Sequence, residues 1–458
     1  MRSFFRPESV AVVGATANPI KGGYHIFNNL KTYYGGRVYP VNPNYEEING
    51  HTCYRSVSDL PEPVELVILF IPAGLVPSVV AECAALGVKR IQIQAAGFAE
   101  VGTEGERLAR EVLAIAKEHD IRIWGPNCTG SVSARDFFFA PFMPAPDLNE
   151  KLIPGPVSVI AQSGMLAGGF LIQMLDGGYF GIDKVAAVGN KMDIDEVDIL
   201  EYLADEDDTR VILMYLESIS RGREFMEVAR SLSGKKHLVL LKAGRSEQSL
   251  AAALSHTGSL AGDESVVAGA LSQSGIIRVY DFMEMIHAGE ALATLPISGG
   301  GRRVAVITVT GGGGIVATDL LSDHGLEVPD LAPETVSVLR EIFPPWMPPK
   351  NPVDLWPTME IRGINEAFEQ VVPVVMRDPN IDAAILLPFA SPYVETQKVD
   401  LFTRAMTETG KPIVSWVFGF PGRFKTFEAI MKAAGIPVFK QLSQAVNVLA
   451  ALRTLGDT

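Results

Sequence analysis

The chain has little cysteine, no basic cluster and no long apolar run, and each shortage removes a class of protein. Three cysteines in 458 residues, Cys53, Cys83 and Cys128, form neither an even framework nor a metal-ligand pair. A disulfide scaffold and a structural zinc site are therefore not expected, and unpaired thiols fit a reducing compartment. Lysine and arginine (39) are interspersed with aspartate and glutamate (53), giving a net charge of −14. That pattern carries no electrostatic footprint for nucleic acid or an anionic membrane. No apolar stretch approaches the ~20 residues of a membrane span. Met1 to Pro7 is too short and too polar for a secretory leader. A soluble, cytoplasmic protein is expected.

What the chain has instead is apolar residues, 47% of the total, in short β-branched runs separated by helical periods. This is the pattern of βαβ units around parallel sheets, and the length suggests about three domains. Strands are expected at Ser9 to Val13, Arg37 to Val41, Leu66 to Ile71, Arg90 to Gln94 and Arg122 to Trp124. A second group follows at Val157 to Ile160, Lys184 to Val188, Arg210 to Tyr215, His237 to Leu241 and Ile276 to Val279. A third comprises Arg303 to Val309, Asp382 to Leu387, Pro412 to Val417 and Ile436 to Phe439. Phe137 to Pro156 holds five prolines and reads as a connection. The expected organisation is an α/β chain with a Rossmann-like domain (1–135), a linker (136–156) and two flavodoxin-like, doubly wound domains (157–295 and 302–458), the last pair joined by the Pro296 to Gly301 hinge.

The first strand runs into Gly14-Ala15-Thr16-Ala17-Asn18-Pro19, where backbone amides and a helix dipole favour a phosphate. The loop lacks a full G-x-G-x-x-G, and Pro40-Val41-Asn42-Pro43 ends the second strand without the carboxylate that holds an NAD ribose. A ligand with a 3′-phosphate on its ribose, such as CoA, suits amides and a nearby cation, Lys21, better than NAD does. The alternative is that Gly14 serves only a tight turn.

A second constellation lies further on. Ser255-His256-Thr257-Gly258-Ser259-Leu260-Ala261-Gly262 occupies a long segment after the fourth strand of the second group, and segments of that length are usually functional. His256 is its one side chain able to act as a nucleophile; read alone, it is a surface-loop histidine, and its company changes that reading. Gln162-Ser163-Gly164 and Gly311-Gly312-Gly313-Gly314 each open a helix, and two such dipoles aimed at one point would hold a phosphate dianion. A nucleophilic imidazole also needs its second nitrogen oriented by an acid. Glu217, at the end of a strand on the carboxyl edge where open α/β sheets bind ligands, is the candidate, with a solvated loop acid as the alternative.

With these runs in view, the chain resembles the ADP-forming (NDP-forming) acyl-CoA synthetases, relatives of succinyl-CoA synthetase. The resemblance covers essentially its whole length. It is carried by Val13-Gly14-Ala15-Thr16 with Lys21-Gly22, Tyr39-Pro40-Val41-Asn42-Pro43, Gly97-Phe98 with Glu100, and Gly125-Pro126-Asn127-Cys128. It continues through Gln162-Ser163-Gly164, Gly189-Asn190, Tyr215-Leu216-Glu217, Lys242-Ala243-Gly244-Arg245, Ser255 to Gly262, Thr310 to Gly314 and Asn351-Pro352-Val353-Asp354.

The resemblance implies a CoA-binding domain followed by two ligase domains of succinyl-CoA synthetase type. It implies His256 as the phosphorylated nucleophile, Glu217 as its partner, and Gln162, Ser163, Gly164 and Gly311 to Gly314 as phosphate-holding. CoA is expected along Gly14, Thr16, Ala17, Asn18, Pro19 and Lys21, near Asn42, Pro43, Asn44 and Tyr45, by Pro72, and beside Ala95, Ala96, Gly97 and Phe98. No segment reads as an ATP-grasp domain. ADP or ATP with Mg²⁺ is therefore expected on a separate ATP-grasp β subunit, in an α2β2 assembly, with phosphate and CoA as the ligands of this chain.

Ala161 stands where the family commonly has serine, and Gly168 where succinate-using relatives carry a hydroxyl-bearing aromatic. The latter points to a monocarboxylic acid such as acetate. The Phe343 to Pro357 segment, with Trp346 and Trp356, either covers a site or packs on the surface. A CoA-sensing protein without turnover is the alternative from another class; it would be marked by loss of His256 or Glu217, and both are present.

Overall fold

The computed structural model describes residues 1–145, 147–162, 164–246, 249, 264–295, 301–390 and 399–453. They form two compact units, Met1–Tyr280 and Asp281–Thr458, and the α/β expectation holds in both.

The first unit contains two sheets. The amino-terminal one is parallel, in the spatial order Arg37–Val41, Ser9–Val13, Leu66–Leu69, Arg90–Ile93, Arg122–Trp124. Counted along the chain this is second, first, third, fourth, fifth. Ser9–Val13 and Leu66–Leu69 are buried at every position, as strands covered by helices on both faces must be. The next sheet repeats the order with Pro154–Ala161 as its first strand, flanked by Ile182–Ala187 and Val211–Leu216, and continues through His237–Lys242 to Ile276–Val279.

One feature of that sheet was not expected. Gly130–Ser133 and Phe138–Phe139 extend it beyond Ile182–Ala187 by antiparallel pairing, making seven strands. Residues read as the end of one domain and the start of a linker thus belong to the sheet of the next. Both are short, and Gly130-Ser131-Val132-Ser133 lacks the apolar run that marks a parallel strand, so periodicity gave no warning.

The two sheets of this unit share one continuous core, which includes Phe4, Phe5, Trp124, Ile160 and Ile212. The Trp124 indole packs against Phe4 and Phe5 at centroid distances of 5.3 and 5.5 Å. Its N–H donates to the Ala187 carbonyl at 2.7 Å, satisfying its one polar atom. Arg6 adds a two-pronged contact to Glu206, which also receives the buried Lys184 ammonium at 2.6 Å.

The second unit is built on a five-stranded parallel sheet in the same order, with Val304–Thr308 first, between Val353–Asp354 and Ala383–Leu387, then Ile413–Trp416 and Val438–Phe439. Val353–Asp354 was unforeseen because two residues carry no readable period. The buried Asn351 amide secures it, donating to the carbonyls of Val304 and Pro329 at 2.9 and 3.0 Å and accepting from the Val306 N–H at 2.9 Å. Phe282–Thr294 falls inside the span read from the sequence as the middle domain, yet it packs with Leu442–Arg453 in this unit.

Glu290, on Phe282–Thr294, is 2% exposed. Burial pushes its carboxyl from 4.5 up to about 7 despite the Lys432 ammonium at 3.1 Å. A raised folded-state value means that stability present below the unfolded value is lost as pH rises towards 7. His287, lowered to about 4 by burial, has the opposite slope, so the difference between wild type and Glu290→Gln isolates the acid. The stability of Glu290→Gln relative to wild type should grow between pH 5 and pH 8, by at most about 3 kcal/mol. Thermal unfolding at each pH tests this; a difference that stays flat across that range would contradict it.

Candidate active site

Each sheet places its first strand beside its third, and the chain leaves those two strands in opposite directions. The resulting crevice at the carboxyl edge is where open α/β sheets bind ligands. In the first sheet it is a cavity of about 720 Å³. Among the expected residues, Gly14, Thr16, Lys21, Asn42, Pro43, Asn44, Tyr45 and Pro72 line it.

Gly14 has φ +92°, and a Cβ there would lie 2.2 Å from the Phe70 carbonyl oxygen. Its N–H donates to the Val41 carbonyl at 2.9 Å. Asn42 donates to the Ala15 carbonyl at 2.8 Å and accepts from the Asn44 N–H at 3.0 Å, while the hydroxyls of Thr16 and Tyr45 meet at 3.0 Å. The turn is therefore held rigid from the second strand. Lys21 precedes the Gly22–Tyr33 helix, whose first turn has no side-chain cap among the described residues, and Gly22 and Gly23 at that helix start line the cavity.

Ala17, Asn18 and Pro19 are exposed on the same turn but outside the cavity wall. Ala95, Ala96, Gly97 and Phe98 also lie outside it. Phe98 is fully buried in the core, and the Gly97 and Phe98 N–H groups donate to the Glu100 carboxylate at 2.6 and 3.2 Å. The other oxygen of Glu100 accepts from Asn190 at 2.5 Å. Gly189, where a Cβ would meet the Pro126 carbonyl oxygen at 2.1 Å, allows that approach. The Gly97-Phe98, Glu100 and Gly189-Asn190 runs thus join the two sheets of the first unit.

In the second sheet the crevice lies between the ends of Pro154–Ala161 and Val211–Leu216. Gln162 is buried and uses its carbonyl oxygen to accept from the N–H groups of Glu217 and Ser218 at 2.8 and 2.9 Å. Its amide donates to the Ser218 hydroxyl at 3.1 Å. Its side chain holds the strand end that carries Glu217. Gly164 opens the Gly164–Gly177 helix.

Glu217 is 6% exposed, not a solvated loop acid. One carboxylate oxygen accepts from the Tyr215 hydroxyl at 3.3 Å; the other is buried with no hydrogen-bond partner among the described residues. Burial, then the Glu217 charge, pushes the Tyr215 phenol up. Ser163 and His256 lie outside the described residues.

Two cations not assigned roles from sequence flank this turn. The Lys242 ammonium donates to the carbonyls of Glu217 and Ala243 at 2.7 and 2.6 Å, and burial lowers its pKa. Lys191 donates to the Ser218 carbonyl at 2.8 Å and pairs with buried Glu196 at 2.8 Å. Lys242 was signalled by a polar residue ending the apolar run Leu238-Val239-Leu240-Leu241.

In the second unit, Gly311, Gly312, Gly313 and Gly314 form the first turn of the Gly311–Asp323 helix, which also lacks a side-chain cap. A Cβ at Gly311 would meet an Asp354 carboxylate oxygen at 3.3 Å and one at Gly313 the Thr310 side chain at 2.7 Å. Trp346 and Trp356 are 71% and 54% exposed.

Three segments match known families: residues 8–134 a CoA binding domain, 154–292 the succinyl-CoA ligase like flavodoxin domain, and 304–414 the ligase-CoA domain. Over 455 residues the chain is 36% identical to acetate–CoA ligase [ADP-forming] II subunit alpha of Pyrococcus furiosus, covering 98% of this chain and 96% of that one.

The chain belongs to the ADP-forming acyl-CoA synthetases.

This synthetase chain is also 35% identical to acetate–CoA ligase [ADP-forming] II of Archaeoglobus fulgidus, of which it spans 66%. Its fold matches the dinucleotide forming acetyl-coenzyme A synthetase 1 of Ca. Korarchaeum cryptofilum, solved in complex with phosphate and ADP. That match has a TM-score of 0.88 and 31% identity, and covers 100% of this chain and 97% of that one. Among the described residues no helix is long and apolar enough to cross a membrane.

Replacing Gly14 by Ala should cost the synthetase about 2–4 kcal/mol, from the positive φ and the collision with the Phe70 carbonyl. Denaturant unfolding measures it. An unchanged midpoint would show that the turn is not held as described.

Proposed function

We propose that the chain is the CoA-binding, phosphohistidine-carrying α subunit of an ADP-forming acyl-CoA synthetase, converting acyl-CoA, ADP and phosphate to a carboxylic acid, ATP and CoA. The observation that carries this reading is the buried oxygen of Glu217, unpartnered among the described residues, at the crevice of the second sheet. A buried carboxylate oxygen without a donor costs free energy. An imidazole N–H is the partner that would relieve it while leaving the other ring nitrogen free to attack phosphorus.

In the proposed sequence a phosphate oxygen attacks the thioester carbonyl, and the carbon–sulfur bond breaks to give an acyl phosphate and CoA. The free imidazole nitrogen of His256 then attacks phosphorus, and the phosphorus–oxygen bond to the acyl group breaks, releasing the carboxylate. Glu217 accepts the N–H hydrogen bond of the other nitrogen and stabilises the ring as it gains positive charge. The phosphoryl group finally passes to ADP. The Gly164 helix start and the buried ammonium of Lys242 supply donors and positive potential for the phosphoryl oxygens, and the Gly311 to Gly314 turn offers a further uncapped helix start to an anion. The cavity at Gly14 takes CoA, with Lys21 and the uncapped amides meeting its phosphates.

The relatives named as α subunits support a partner chain, which we propose is an ATP-grasp β subunit holding ADP and Mg²⁺ in an α2β2 assembly. The acid is proposed to be a short monocarboxylate such as acetate. A Cβ at Gly168 would lie 2.0 Å from the Met143 methyl, so an apolar thioether fills the space where a polar anchor for a second carboxylate would stand. The relatives named as ligases favour this reading over CoA sensing without turnover.

Replacing His256 by Asn should abolish turnover in the reconstituted enzyme and leave CoA affinity within about threefold, because the CoA cavity is formed by other residues. Retained turnover would remove the histidine from the mechanism. Glu217→Gln keeps the shape of the strand end but loses the charge, and kcat should fall by roughly 10² or more with a native unfolding midpoint. Unchanged kcat would exclude Glu217 as the histidine's partner.

A further inference from the structure

The cavity wall at Gly14 carries two cations, Lys21 and Arg55, and one carboxylate, Glu82, among the described residues. Glu82 is already engaged, accepting from the N–H and hydroxyl of Ser58 at 2.7 and 2.8 Å. Arg55 is exposed and makes no ion pair with a described residue. Its place in the fold is defined by Tyr54, which bridges to Val41 in parallel register. The Tyr54 N–H donates to the Pro40 carbonyl at 3.0 Å, and its carbonyl accepts from the Asn42 N–H at 2.8 Å. The chain around Tyr54 is therefore one more rung on the outer side of the second strand, and Arg55 follows at the carboxyl end of that rung.

In open sheets that bind adenine nucleotides, this end of the second strand faces the adenosine ribose. An acid there accepts from a free diol, and an arginine accommodates a phosphorylated one. Here the acid is missing and the arginine is present. Lys21 lies on the other side of the cavity, at the start of the Gly22–Tyr33 helix, where a diphosphate is met by amides.

We infer that Arg55 recognises the phosphate on the CoA ribose, so that this chain discriminates CoA from its 3′-dephospho form, while Lys21 and the helix amides serve the diphosphate. The inference rests on the CoA reading above. A guanidinium fork meets a phosphate dianion with two charge-assisted hydrogen bonds, so the contribution disappears with either partner.

The test is calorimetric titration of the full chain with CoA and with 3′-dephospho-CoA. Wild type should bind CoA about tenfold more tightly or better. Arg55→Ala should lose that factor for CoA and change dephospho-CoA by less than about twofold, with Arg55→Lys intermediate. Lys21→Ala should weaken both ligands by a similar factor. As an exposed residue, Arg55 should give variants with the wild-type thermal midpoint. Equal weakening of both ligands by Arg55→Ala would place the residue on the diphosphate and overturn the inference, as would no weakening of either. Wild type binding neither ligand would overturn the CoA reading and this inference with it, whereas tight binding of both with no discrimination would overturn the inference alone.

Discussion

A parallel sheet in the order second, first, third, fourth, fifth opens one crevice, at the carboxyl edge where the connections of its first and third strands part. This chain obeys that constraint three times. Gly14 and Pro72 meet at the first crevice, Gln162 and Glu217 at the second, and the Gly311 to Gly314 turn opens from the first strand of the third sheet. In each case the chain leaves a strand that is buried at its carboxyl end and goes on to start a helix, at Gly22, Gly164 and Gly311, and those at Gly22 and Gly311 have no side-chain cap among the described residues. The chemistry proposed for the molecule, passing a phosphoryl group from an acyl phosphate to a histidine and then to a nucleotide, uses such anion-accepting ends in succession.

The second crevice holds a buried acid. Burying a carboxylate that is 6% exposed and has one oxygen unpartnered among the described residues costs free energy. Here it is kept in place by Gln162 through the Glu217 and Ser218 amides, with the Lys242 and Lys191 ammonium groups on the carbonyls of the same two residues. These contacts fix the backbone and leave the free carboxylate oxygen available. That free oxygen is the acceptor used by the imidazole donor in the mechanism proposed above.

The strand positions were legible because parallel strands buried on both faces are largely apolar, as Leu66–Leu69 and Ala383–Leu387 are. Gly130–Ser133 was not, because an antiparallel addition at a sheet edge tolerates serines whose hydroxyls find local partners, as Ser131 does with the Phe4 carbonyl at 2.6 Å. Within the sites, Gly14 and Glu217 were readable from the turn and strand end that carry them. Arg55 was missed because its placement depends on the bridge from Tyr54 to Val41, which no local pattern announces. Gly97 and Phe98 carried a motif whose visible work is mechanical, since their amides are taken by Glu100 and through it tied to Asn190.

The central claim is that a phosphoryl group rests covalently on the histidine served by Glu217. The direct measurement is intact-protein mass spectrometry of the wild-type chain, with the proposed ATP-grasp partner supplied, after incubation with inorganic phosphate and a short acyl-CoA. Peptide mapping under alkaline conditions then locates any adduct. The account predicts one acid-labile phosphoryl group on His256, formed only when both phosphate and thioester are present. Thioester turnover with no adduct, or an adduct on any other residue, would contradict it.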